Sequence, residues 1–186
     1  DDSFIEVALP FTFPFYGVDK SLVKISSNGF LAFGPNGTDY NNTPLPNVGQ
    51  PNDIIALFWD DLNPSLGGTI HYYHNAGANE FIVQYTGIQH FGGSAPYTFQ
   101  AILRSNGSIL LQYLAMQGPL NSATLGVENS SGTIGLQIVF NANYVHDNLA
   151  VAIQAACPWI SEDPVSGVIP PGGSEQVTLS VTTAGL

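Results

Sequence analysis

The chain is a series of short hydrophobic runs closed by turn residues. Apolar residues do not recur at three- and four-residue spacing over any long window, so no amphipathic helix is predicted. Leu22-Val23-Lys24-Ile25-Ser26 stops at Asn28-Gly29, and Phe30-Leu31-Ala32-Phe33 starts at once. Asn-Gly between two such runs signals a hairpin, because both residues accept positive φ. Ile54-Ile55-Ala56-Leu57-Phe58-Trp59 is unbroken and apolar, the pattern of a strand buried on both faces. Residues 69–74 and 80–85 flank Asn75-Ala76-Gly77-Ala78-Asn79, and residues 97–103 and 108–113 flank Asn106-Gly107. Each pair predicts a hairpin, and its alternation of large and polar residues predicts one buried and one wet face. Residues 123–128, 135–140 and 150–154 complete the strands. The expected fold is all-β, an antiparallel sandwich or a partly open barrel.

The pattern changes near Cys157. Cys157-Pro158-Trp159-Ile160 and a Pro/Gly-rich stretch lead into Glu175-Gln176-Val177-Thr178-Leu179-Ser180-Val181-Thr182, which alternates strictly. Two domains are therefore expected, 1–156 and 157–186. The second has too few strands to stand alone. Its sheet is completed by the first domain, by sequence beyond this chain, or by another chain.

Composition narrows the partners. Charged residues make up 9% of the 186 positions, and the net charge is -11 with only Lys20, Lys24 and Arg104 as cations. Nucleic-acid binding needs cations to displace counterions from phosphates, so that class is excluded. No apolar run is long enough to span a bilayer. The 44% hydrophobic content argues against disorder. One cysteine, Cys157, allows no intrachain disulfide. The chain opens at Asp1-Asp2-Ser3 without a signal peptide, as a processed chain would.

Several ordered motifs carry a resemblance. Leu9-Pro10-Phe11-Thr12-Phe13-Pro14-Phe15-Tyr16-Gly17, then Ile25-Ser26-Ser27-Asn28-Gly29-Phe30-Leu31-Ala32-Phe33-Gly34, resemble the opening of the nidogen-type extracellular domain. The segment Asp53-Ile54-Ile55-Ala56-Leu57-Phe58-Trp59-Asp60-Asp61 resembles its I-A-P-F-W-x-D segment, with Leu57 in place of proline. Tyr97-Thr98-Phe99-Gln100-Ala101-Ile102-Leu103 resembles its N-T-F-Q-x-x-L strand, with Tyr97 in place of asparagine. The resemblance covers about residues 4–153. It implies an extracellular β module of adhesion or matrix contacts, of the kind found in bacterial secreted proteins, with no catalytic residues. Trp159, Pro164, Ser166-Gly167 and Pro171-Gly172-Gly173-Ser174 resemble the start of a bacterial immunoglobulin-like module.

Candidate chemistry is sparse. Asp60, Asp61 and Asn63 offer hard oxygens to calcium, which takes six to eight; the competing reading is a turn whose carboxylates accept backbone N–H bonds. His71 and His74 face opposite ways on a strand and cannot chelate together. His146-Asp147 has the makings of an acid–base pair, but Ser94, within Gly92-Gly93-Ser94-Ala95-Pro96, is no nucleophile elbow. Asp60 or Asp61 with Glu80 or Glu128 would be the pair for glycoside hydrolysis if they converged. Asn36, Asn41, Asn106 and Asn129 head N-x-Ser/Thr triplets. Tyr40, Tyr72, Tyr97 and Tyr144 near loops and strand ends are the aromatic candidates for stacking on sugars or protein partners.

The expected function is a non-catalytic extracellular structural or adhesion module of a secreted or cell-surface protein. One alternative is a filament or surface-layer subunit assembled by β-strand addition, with Val177, Leu179 and Val181, or Phe4 and Val7, as donors. Pairing of both segments wholly within their own chain would sink this version. Another alternative is an accessory domain of a secreted hydrolase. Partners are other chains, including copies of this one, or glycans and matrix.

Overall fold

A computed structural model describes residues 1–154, 160–163 and 178–181 of the chain. It divides into two units, Asp1–Ile153 and Gln154–Leu186.

The first unit is a sandwich of two antiparallel sheets and is not closed into a barrel. The first sheet runs in the order β1 (Phe4–Phe15), β2 (Val18–Ser26), β3 (Phe30–Ala32), β4 (Ile54–Trp59), β10 (Thr124–Glu128), β11 (Gly135–Phe140). The second runs β12 (Leu149–Ile153), β9 (Ile109–Met116), β8 (Pro96–Arg104), β7 (Glu80–His90); β5 (Leu62–Asn63) and β6 (Thr69–Asn75) share the far edge of β7. A short 3-10 turn, Pro64–Leu66, follows β5. The sequence does not single out β1 as a full strand, because Pro10 and Pro14 interrupt it. The strand accommodates them by a bulge: residues 9–12 lie opposite the single Ser21. Tyr16 (φ 48) and Gly17 (φ 75) then turn the chain into β2, the two positive φ values of a type I′ hairpin.

Inward side chains of both sheets form one core, which includes Phe13, Ile25, Leu57, Phe58, Val83, Phe99 and Leu125. Two tyrosines of the second sheet clamp the first. Tyr85 donates its hydroxyl to the Ser26 carbonyl at 2.7 Å, and Tyr113 donates to the Leu57 carbonyl at 2.6 Å. Both hydroxyls are buried and therefore need partners. Phe99 stacks on Tyr85 with centroids 4.6 Å apart.

The run 54–59 is buried on both faces as its pattern predicts, and the second cover is a loop. Phe30, Ala32, Ile54, Ala56 and Trp59 point away from the main core and pack with Leu45 of the 33–53 segment. A loop laid on a sheet must have its backbone polar groups satisfied. Here the sheet's side chains do it. Trp59 Nε1 donates to the Asp39 carbonyl (3.0 Å), Thr124 Oγ1 to the Thr43 carbonyl (2.9 Å), Gln137 Oε1 accepts from the Leu45 N–H (2.9 Å), and Glu128 Oε2 accepts from the Asn47 N–H (2.9 Å). That role explains why Thr124 and Glu128 are polar yet buried. Strict alternation fails within β4: the N–H groups of Leu57 and Phe58 both donate to the Gly29 carbonyl, at 3.1 and 3.0 Å. This bulge sends both residues into the main core and Trp59 to the other face.

In the second unit, β13 (Ile160–Asp163) pairs antiparallel with β14 (Thr178–Val181). The residues that carry the immunoglobulin-like resemblance, Trp159, Pro164, Ser166, Gly167 and 171–174, lie outside the described residues, as does Val177.

Candidate functional site

The acidic turn after β4 is held by hydrogen bonds of its own side chains. Asp60 is 5% exposed. Its Oδ2 accepts from Ser122 Oγ at 2.6 Å, and its Oδ1 accepts from the Asp61 N–H at 2.9 Å, with His90 Nε2 at 3.4 Å. Asn63 Oδ1 accepts from the Ser65 N–H and caps the 3-10 turn. Burial, then the Asp2 carboxylate, raises the Asp61 carboxyl above its ordinary value. Among the described residues no group of three or more histidine, cysteine or acidic side chains is placed to hold a metal ion. The side-chain oxygens of Asp60 and Asn63 make the backbone bonds that the turn reading expects. Ser122, Asp60 and His90 do not form a triad either, because the carboxylate stands between serine and imidazole.

The other catalytic candidates are dispersed. Glu80 pairs with Arg104 at 2.9 Å. Glu128 lies opposite Ile54 at the start of β4, and Asp60 follows its end. Five residues separate those ends, about 16 Å of strand. The Asp147 carboxylate accepts from the Met116 N–H at 2.7 Å and not from the imidazole of His146, whose Nδ1 lies 2.9 Å from the Asp147 carbonyl. Asn36, Asn106 and Asn129 use their side-chain oxygens to accept backbone N–H bonds in their own turns.

The aromatic candidates separate. Tyr97 is fully buried and donates its hydroxyl to the Pro119 carbonyl at 2.8 Å, so it is a core residue and not a stacking surface. Tyr40 and Tyr144 are exposed on loops. Tyr72 is exposed, but it shares a face with inward Val83 and packs on Phe81, centroids 5.7 Å apart. Its neighbour Tyr73, overlooked in the sequence, is 64% exposed and lies on the opposite, outer face.

Among the described residues, the proposed strand donors pair within the chain. Phe4 lies opposite Ser26 and Val7 opposite Val23; Leu179 lies opposite Glu162 and Val181 opposite Ile160. Pro10 and Pro14 also remove N–H donors from the β1 edge.

What the strands do assemble is a cleft without charged side chains on the outer face of the second sheet. Phe81, Val83 and Tyr85 point inward, so Ile82, Gln84 and Thr86 point outward. The register then aligns His71, Gln84, Gln100, Gln112 and Ala150 in one row across β6, β7, β8, β9 and β12. Gln100 Nε2 donates to Gln112 Oε1 at 2.7 Å, and Gln84 Nε2 donates to Thr86 Oγ1 at 2.8 Å. Gln84, Thr98, Gln100, Gln112, Leu114 and Asn148 line a cleft of about 370 Å³ with no Asp, Glu, Lys or Arg in its wall. The sequence held one signal for it: a glutamine at an outward position in each of three consecutive strands. None of the three cations lines the cleft, and all are paired, Lys20 with Asp53, Lys24 with Glu6 and, two rows along the same outer face, Arg104 with Glu80.

A family model described as NIDO related matches residues 1–169. No curated protein and no solved structure gives a match. The family is not known as enzymatic, and it points to an extracellular structural module. No helix among the described residues is long and apolar enough to cross a membrane. With this match over most of its length, the chain belongs to the nidogen-related family.

Proposed function

We propose that the chain is a non-catalytic adhesion module of a secreted or cell-surface protein, and that it holds its partner on the outer face of the second sheet. The observation that carries this reading is the uncharged cleft itself. On a chain of net charge -11, a five-strand row without Asp, Glu, Lys or Arg is a distinct surface. Amide and apolar groups converge there, which is the composition of a recognition site. Assembly by strand donation has less support, since both candidate segments pair within their own chain. Biolayer interferometry of the whole chain against immobilised matrix glycoproteins and polysaccharides tests the reading. Saturable binding to at least one surface is expected. Absence of binding to every surface overturns it.

A further inference from the structure

The chemistry of the cleft narrows what occupies it. A glutamine amide offers two donors and a two-lone-pair acceptor side by side. Among the described residues, the bond between Gln100 and Gln112 leaves Gln112 Nε2 and Gln100 Oε1 without protein partners, and the bond from Gln84 leaves its Oε1 without one. These groups lie in one row at the strand spacing of about 4.8 Å. A pyranose carries vicinal hydroxyls, each both donor and acceptor, which fit such alternating amide atoms. Its C–H faces need apolar contact, and two exposed side chains on the same sheet face offer it: Leu114 in the cleft wall and Tyr73 on β6, on the row beside the glutamines.

Charge excludes the competitors. The field of an acidic protein repels sialylated or sulfated glycans, and the cleft holds no cation to recover them. It holds no carboxylate for a basic peptide. A second copy would bring a further -11 against the first.

We propose that the outer face of the second sheet binds a neutral, linear oligosaccharide along the row Gln84, Gln100 and Gln112, with Tyr73 and Leu114 as the apolar contacts. The row from β6 to β12 crosses four strand spacings, about 19 Å, which accommodates about four sugar units. This assignment rests on the adhesive reading above and adds the ligand class to it.

The test is an NMR titration of the full chain with neutral glucan, mannan, galactan and chitin oligosaccharides, beside sialylated and sulfated ones. At least one neutral chain is expected to shift the side-chain amide signals of Gln100 and Gln112. Gln100→Ala and Gln112→Ala, both on the outer face, are expected to weaken that binding at least tenfold with the melting temperature unchanged. Acidic analogues are expected to bind at least tenfold more weakly. If no neutral chain shifts these amides, or if Gln100→Ala binds like the wild type, the assignment is wrong. If immobilised glycoprotein is still bound after periodate oxidation of its glycans, the adhesive reading stands and the sugar assignment falls. A dimer in sedimentation that Gln100→Ala dissolves would make the face a contact between copies and would also overturn the assignment.

Discussion

Gly29 is where the first sheet is most tightly constrained. It sits at φ +76, and a Cβ there would lie 2.0 Å from the Phe58 carbonyl oxygen and 2.8 Å from its carbon. Neither atom can swing aside, since both belong to the backbone of the β4 bulge. Gly29→Ala therefore adds three costs. The left-handed conformation costs an L-residue about 1–2 kcal/mol. Displacing β4 within a packed core costs about 1–3 kcal/mol. The bonds from the Leu57 and Phe58 N–H groups to the Gly29 carbonyl weaken by up to about 1 kcal/mol each. The sum is about 2–7 kcal/mol. At about 2–4 °C per kcal/mol for a unit of this size, the melting temperature falls by about 4–28 °C. Gly17 supplies the control. Its φ is +75, yet a Cβ there would have no neighbour within 4 Å, so Gly17→Ala carries only the conformational cost, a loss of about 2–8 °C. Thermal melts of the two variants by circular dichroism separate the terms. Melting temperatures within about 2 °C of each other would refute the close approach of Gly29 to β4.

Other predictions follow from the buried polar groups. Burial raises the Glu128 carboxyl from 4.5 to about 7, partly offset by its bond from the Asn47 N–H. The folded state thus keeps a proton that the unfolded state has lost between those values, so this stabilisation is complete below pH 4.5 and disappears as pH rises through 7; it amounts to about 3 kcal/mol. Glu128→Gln keeps an acceptor for Asn47, and the melting curves of variant and wild type should diverge in the variant's favour from pH 5 to pH 8; parallel pH profiles would contradict the burial argument. Tyr113→Phe removes the donor to the Leu57 carbonyl and should cost about 1–2 kcal/mol in urea denaturation. Tyr85→Phe, acting on the Ser26 carbonyl, should add to it independently, and a loss in the double variant no greater than in either single one would refute two separate clamps. Millimolar calcium should leave the melting temperature unchanged because the Asp60 and Asn63 oxygens already have partners; a rise of more than about 2 °C would support the calcium reading.

Strand positions were legible wherever a run was bounded by turn residues. The hairpins around Asn28-Gly29, 75–79 and Asn106-Gly107 fall where those signals stand, since positive φ is a local property of the sequence. Features set by long-range contact were not legible. Nothing in residues 33–53 announces a cover for Trp59, because its cohesion comes from single side chains on β4, β10 and β11 that accept or donate across the chain. Tyr97 reads as a strand-end aromatic, and only the fold brings Pro119 to its hydroxyl. Tyr72 and Tyr73 are adjacent, and their faces are decided by pairing register, opposite Val83 and Ile82 respectively. The glutamine row is an intermediate case. Each glutamine's outward phase was readable from its own strand, but their alignment depends on three registers together.

Hydroxyl-radical footprinting of the full chain bound to its adhesive surface tests the central claim most directly, because it reports side-chain exposure. Tyr73 and Leu114 are exposed on the outer face of the second sheet, while Tyr40 and Ile134 are exposed elsewhere. Protection of Tyr73 and Leu114, with Tyr40 and Ile134 still oxidised, is the result this account predicts. Protection of Tyr40 or Ile134, with Tyr73 and Leu114 left open, would contradict it.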